Sequence, residues 1–350
     1  MAQTTSSKNM AASQPIRLLI CDDSVFMRMA IKALCEDHPE ILVIGEAADG
    51  EEAITAVRDL KPDIVTMDIS MPGLDGVEAT TEITQRCDVP VIILSSLTER
   101  RSALADRLLD IGAVDVIWKS ASLMDIDIDG IATSITEKIL FWGKRNVETV
   151  AEEPPVLDER FSKTGFGCVL INLGQGSAAD LGGIFGTLTE NSPPVILQAS
   201  VPSSCAESFC RYVQRVSSRP VIIAENGQRI GKGQIFVLLP SAHFTIAREE
   251  NGLCKFHHIP SMTTQGVSAG KMHALLRQSG LAPLLVVLSG AVPIAANEVA
   301  YYSDRAKEII VQKPETCGVA TGVKSVLGIL GSTSCVLAPA GIGAILGAIE

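Results

Sequence analysis

The chain has 350 residues, 47% of them hydrophobic, and a formal net charge of −11, with an isoelectric point near 5.0. That length allows two domains, each large enough for its own core. The acidic balance argues against nucleic acid as a partner, because phosphate backbones demand a basic surface. Nine cysteines are scattered without a Cys-x-x-Cys or a Cys/His zinc spacing, so reduced, buried thiols in a cytoplasmic protein are expected.

Residues 1–14 are polar and rich in Ser, Thr and Ala; they lack the apolar core of a signal peptide and read as a disordered tail. Short β-branched runs then begin near Ile16, Ile41, Asp63, Pro90 and Val114, with helix-length segments between. Near-continuous apolar strands alternating with helices predict a parallel sheet covered on both faces. In the first crossover Val25, Met27, Ile31 and Leu34 fall close to one helical face, with Arg28 and Lys32 toward another.

Ligands of such sheets bind outside the carboxyl ends of the strands, where strand order reverses. Asp22, Asp23, Asp68, Ser95 and Lys119 all fall at those ends. Carboxylates at adjacent strand ends form a hard oxygen site for Mg²⁺, so Asp22, Asp23 and Asp68 are the candidate metal ligands. Asp68 is the candidate nucleophile toward phosphorus, in an in-line displacement that needs mostly positioning and charge neutralisation. Ser95 offers a hydroxyl and Lys119 a point charge to the phosphoryl oxygens. Each has an ordinary alternative: a helix cap for the acidic pair, a turn residue for Ser95, a solvated side chain for Lys119. Their convergence at four strand ends favours the chemical reading.

Residues 144–164 change character. Glu152-Glu-Pro-Pro155 cannot continue a helix, and the linker is placed there. An α/β rhythm restarts beyond it, with strand candidates Cys168 to Asn172, Val195 to Gln198, Val221 to Ala224, Ile235 to Leu239, Phe244 to Ala247, Leu284 to Ser289 and Ile309 to Gln312. The apolar segment from Val336 to Ile349 carries a proline and three glycines, and falls short of the roughly 20 residues a membrane span needs. A buried terminal helix or docking segment is expected, without membrane insertion.

Residues 16 to about 142 resemble a response-regulator receiver domain. Cys21-Asp-Asp-Ser-Val-Phe-Met-Arg28, Met71-Pro-Gly-Leu-Asp-Gly76 and Ser95-Ser-Leu-Thr-Glu-Arg100 are similar to the chemotaxis protein-glutamate methylesterases of the CheB type. Pro194-Val-Ile-Leu-Gln198, Ser208-Phe209, Gly233-Gln-Ile-Phe-Val-Leu-Leu-Pro240 with His243, Val286-Val-Leu-Ser-Gly290 and Ile310-Val-Gln312 extend the resemblance over nearly the whole chain. It implies an α/β protein of two domains: a five-stranded, parallel, doubly wound receiver at 15–143 and a larger methylesterase-like domain at 165–350. It also implies a histidine kinase that phosphorylates Asp68 with Mg²⁺ present, relief of esterase inhibition on phosphorylation, and chemoreceptors or other chemosensory proteins as partners. Two departures concern the receiver. Ser120 replaces the proline that usually follows the strand-5 lysine, and Val116 stands at the aromatic switch position, with Trp118 two residues on.

The esterase positions depart further. Gly174 stands where the family's nucleophilic serine is expected, Ala199 or Ser200 where its histidine is, and the loop Ser289-Gly-Ala-Val-Pro-Ile-Ala-Ala-Asn297 has no carboxylate. Loss of a triad member costs on the order of 10⁴ to 10⁶ in turnover. Ser177, with Asp180, reads as a capping box. His243 and the His257-His258 pair read as surface or structural groups, and His273 as half-buried packing. Gly174-Gln-Gly176-Ser-Ala-Ala179 loosely resembles a dinucleotide turn but lacks the acidic residue about 20 positions on. The leading reading is a phosphorylatable signalling protein whose second domain is catalytically silent and acts by protein binding. The alternatives are an active methylesterase or glutamine deamidase, and a nucleotide-binding output domain.

Overall fold

The computed structural model describes residues 14–87, 89–95, 101–119, 128–143, 165–174, 178–240, 243–259, 267–291, 298–317, 320–331 and 335–349. The proposed tail to residue 13, the linker at 144–164, Ser96 to Arg100, Ser120, Gly176 and Ser177 lie outside them.

The first unit runs β1 (Ile16–Cys21), α1 (Val25–Glu36), β2 (Ile41–Ala47), α2 (Gly50–Leu60), β3 (Ile64–Asp68), α3 (Gly76–Arg86), β4 (Val91–Ser95), α4 (Arg101–Asp110), β5 (Asp115–Trp118) and α5 (Ile128–Trp142). All pairs are parallel, in the order β2-β1-β3-β4-β5. β3 and β4 are buried at every position, as expected of strands covered by helices on both faces. The helix starts obey local chemistry. Ser24, Asp49 and Asp75 each accept a hydrogen bond from an N–H of the first turn. One sequence expectation needs correction. Ile31 and Cys35 form the buried stripe of α1, with Met27 and Leu34 packed against the same core, whereas Val25 is 61% exposed alongside Phe26 and Met29.

The second unit is larger. It comprises β6 (Cys168–Leu173), α6 (Leu181–Phe185), β7 (Val195–Ala199), α7 (Ala206–Ser217), β8 (Val221–Ile223), β9 (Ile235–Leu238), β10 (Phe244–Arg248), β11 (Cys254–His258), α8 (Ala269–Gln278), β12 (Pro283–Val287), α9 (Val299–Ser303), β13 (Ile309–Gln312), α10 (Thr321–Leu330), β14 (Cys335–Leu337) and α11 (Pro339–Ala348). Seven strands form one parallel sheet in the order β14-β13-β12-β6-β7-β9-β8, while β10 and β11 form a separate antiparallel hairpin. The terminal apolar segment is a short edge strand, which the sequence reading lacked, followed by a helix that buries Ile342, Ile345 and Leu346. Among the described residues no helix is long and apolar enough to cross a membrane. All nine cysteines are free thiols.

The two units are packed together. One continuous core cluster holds Ile135, Ile139, Phe141 and Trp142 of α5 together with Phe209 and Val213 of α7. Phe141 meets Phe209 edge to face at 5.8 Å between ring centroids, and Trp142 meets Tyr212 at 5.4 Å. Such aromatic pairs add to the stabilisation from buried area alone. Polar contacts rim this apolar centre. Arg211 pairs with Asp106 at 2.6 Å, Ser204 Oγ donates to Glu137 Oε2 at 2.9 Å, and Arg215 donates to the Leu109 carbonyl at 2.7 Å.

Candidate functional site

Strand order in the first sheet reverses between β1 and β3, and register sets what meets there. Cys21 is level with Met67, so the next residue on each strand, Asp22 and Asp68, stands side by side. Asp22 is 1% and Asp68 5% exposed. Lys119, just beyond β5, bridges them: its Nζ lies 2.7 Å from Asp22 Oδ2 and donates also to Asp68 Oδ1. The remaining carboxylate oxygens are held by backbone, with Ser24 N–H donating to Asp22 Oδ1 and Ser70 N–H to Asp68 Oδ2, both at 2.9 Å. Ser95 is buried at the end of β4, and its carbonyl accepts from Lys119 N–H at 2.7 Å.

Asp23 is exposed at the rim. The structure thus brings Asp22, Asp68, Ser95 and Lys119 to one end of the sheet, with Asp23 beside them. Two supports were not anticipated from sequence. Arg28 donates to the Asp22 carbonyl at 2.7 Å while pairing with Glu46. Gly76 lets α3 approach so closely that an added Cβ would lie 1.8 Å from the Asp68 carbonyl oxygen.

These carboxylates suit a hard divalent cation, and the Lys119 ammonium already sits where positive charge balances both. Among the described residues no three acidic, thiol or imidazole side chains by themselves enclose a metal.

The second sheet reverses between β6 and β12, the analogous position for a ligand crevice. Backbone fills it. Gly174 N–H donates to the Ser289 carbonyl at 3.1 Å, and a Cβ at residue 174 would fall 1.6 Å from the Gly290 oxygen. From the other side, a Cβ at Gly322 would fall 1.8 Å from the Ala291 oxygen, so the loop after β12 is clamped between β6 and α10. Below it Gln312 is fully buried: Oε1 accepts from Ser289 N–H at 2.9 Å, and Nε2 donates to Asp180 Oδ2 at 2.8 Å. Ala199 is buried at the end of β7. Residues 292–297, the rest of the loop expected to carry an acid, lie outside the described residues.

His257 and His258 are exposed on the hairpin, and His243 is buried before it. His273, expected to be half-buried, is fully buried. Its Nε2 lies 3.1 Å from the Pro283 carbonyl, which can only accept, so Nε2 carries the proton; Nδ1 pairs with the Tyr301 hydroxyl. Pro283 begins β12, and five residues of strand span roughly 16 Å, placing this imidazole far from Gly174.

Burial pushes the His273 imidazole down to about 4, from the ordinary histidine value of about 6.5. Between those values the unfolded chain binds a proton that the folded chain refuses, so stability rises with pH across the window and falls as pH drops from about 6.5 toward 4. The full swing is about 3 kcal/mol. Urea unfolding at pH 7 and pH 4.5 should show this loss in wild type and a smaller one in His273→Gln; equal losses would contradict it.

The fold and the strand-end pocket define a two-domain α/β protein, a receiver followed by a larger parallel-sheet domain. The family model for the response regulator receiver domain matches residues 18–128, and that for CheB methylesterase matches residues 169–346. The chain belongs to the CheB methylesterase family, with a response regulator receiver domain in front. It is 29% identical over 321 residues to the protein-glutamate methylesterase/protein-glutamine glutaminase of Thermotoga maritima, covering 89% of this chain and 92% of that one. To the protein of the same name in Pyrococcus abyssi it is 31% identical over 245 residues, covering 66% of this chain and 65% of that one. The crystal structure of the response regulator domain of Thermotoga maritima CheB is 40% identical, with a TM-score of 0.36, over 38% of this chain and 100% of that one.

Proposed function

We propose that the chain is a chemosensory response regulator that takes a phosphoryl group onto Asp68 from a histidine kinase and signals through a catalytically silent methylesterase-like domain that binds protein. The observation that carries the second half is the backbone at Gly174, where a side chain would collide with Gly290. The receiver half is supported by Lys119 spanning two buried carboxylates at the strand reversal.

In this reading the receiver spans 15–143, the linker 144–164 and the output domain 165–350. An Asp68 oxygen attacks phosphorus in line, and the bond to the donor's leaving nitrogen or oxygen breaks. Asp22, Asp23 and Asp68 would hold Mg²⁺, which supplies charge neutralisation for the incoming group. Lys119 turns from the carboxylates toward a phosphoryl oxygen, and the Ser95 hydroxyl donates to another. The added charge of about −1.5 to −2 then biases the end of β4 and the neighbouring surface.

A serine hydroxyl must pass its proton to a base as it attacks an ester. Gly174 supplies no hydroxyl and Ala199 no base, so occupancy of a partner, such as a chemoreceptor or another chemosensory protein, is the output. The names of the relatives favour a second reading, an active methylesterase or glutaminase that uses other residues. Two assays separate them: phosphoryl uptake monitored by mass spectrometry, and methanol release from methylated receptor peptides. One adduct with no release supports the first reading, and release supports the second.

A further inference from the structure

Asp115 is a buried carboxylate that neither the phosphorylation pocket nor the second-domain crevice uses. It opens β5, is 3% exposed, and all its acceptor positions are filled. Oδ1 accepts from Lys138 Nζ at 2.5 Å and from Val116 N–H at 2.8 Å. Oδ2 accepts from Trp142 Nε1 at 2.9 Å and from Ser208 Oγ at 2.7 Å. Three of these donors belong to the receiver; the fourth, Ser208, is on α7 of the second domain. Lys138 is 6% exposed, so ion and counter-ion are both sealed within the interface. Removing a donor from such a group is costly, and its geometry is tightly set.

The strand that begins at Asp115 runs directly into Lys119, which bridges Asp22 and Asp68. Four residues of extended chain, roughly 13 Å, separate the two groups. β5 is held to β4 in parallel register, with Asp115 level with Ile92 and Trp118 level with Ser95. A packed strand in such a ladder moves as a piece.

Building on the reading of Asp68 as phosphoacceptor, we propose that Asp115 and Ser208 form the latch coupling the phosphorylation pocket to the second domain. Ser208 acts as a positioning residue for β5. In the latched arrangement Lys119 is committed to the two aspartates, and a phosphoryl group must draw it away. Loosening the latch therefore lowers the cost of binding a phosphoryl group. Linkage is reciprocal: a group that responds to phosphorylation must, when altered, change the pocket's affinity.

The test is titration of the full-length protein with beryllofluoride and Mg²⁺, a phosphoryl mimic, followed by calorimetry. Ser208→Ala should bind about threefold or more tightly than wild type, within the usual range of coupling between sites. Ser204→Ala serves as control, because its hydrogen bond to Glu137 also crosses the interface but does not touch β5. It should bind as wild type does. Circular dichroism and thermal unfolding establish that both variants are folded; if Ser208→Ala is not, Ser208→Thr, which keeps the hydroxyl, should bind as wild type does and Ser208→Gly more tightly. Unchanged or weaker binding in the variants lacking the hydroxyl, or an equal gain in Ser204→Ala, overturns the latch alone. A wild-type chain that binds no beryllofluoride overturns the Asp68 reading and the latch with it.

Discussion

Asp68→Asn should abolish phosphoryl uptake. With a small-molecule phosphodonor and Mg²⁺, the wild-type chain should gain one phosphoryl adduct by mass spectrometry and the variant none. The reason is chemical: the amide keeps the shape of the side chain but has no anionic oxygen to attack phosphorus. Asp22, 1% exposed, lies alongside and could in principle compete. Both carboxylates are held alike, each by Lys119 and by one backbone N–H, so the substitution itself decides between them. Lys119→Ala should leave the two buried carboxylates facing each other without their shared cation, and should slow uptake through lost charge neutralisation. An adduct of equal yield in Asp68→Asn would remove Asp68 from the chemistry.

Gly174→Ser should not recover a nucleophile. The new Cβ would lie 1.6 Å from the Gly290 oxygen and 1.7 Å from its carbonyl carbon, far inside any contact distance. Either β6 or the loop after β12 must move, and that loop is held by hydrogen bonds to Gln312 and Gly174. Overpacking of this kind costs about 3 kcal/mol or more. For a domain of this size the midpoint of thermal unfolding should fall by roughly 6 to 12 °C. On the proposed reading of a catalytically silent domain, ester hydrolysis should stay at the background rate. A variant as stable as wild type that releases methanol would show that the crevice opens readily.

The receiver was largely legible because its information is local. β-branched runs mark buried strands, and the residues that follow them reach one edge by topology alone, so Asp22, Asp68, Ser95 and Lys119 could be placed before any coordinates. Val25 shares a helical face with Ile31 yet is exposed, because periodicity gives direction around a helix but not depth of burial along it. The crevice was less legible: the resemblance puts Gly174 at the expected serine position, but no sequence pattern shows how close the Gly290 backbone comes to it. Asp115 drew no attention in sequence, where it is one acid in an apolar strand. Its partners Lys138, Trp142 and Ser208 lie 23, 27 and 93 residues away, and such distances are set by tertiary packing. The short strand β14 escapes the sequence reading because Val336 and Leu337 fall within the apolar terminal segment, expected as a buried helix or a docking segment.

Methanol release is the most direct measure of the central claim that the rear domain has lost ester chemistry while the front accepts phosphorus. Full-length protein, with and without phosphodonor and Mg²⁺, would be incubated with methyl-esterified receptor peptides and compared with buffer alone. The account predicts release indistinguishable from buffer in both states, alongside a phosphoryl adduct on Asp68. Repeated turnover, above all turnover that increases on phosphorylation, would contradict it.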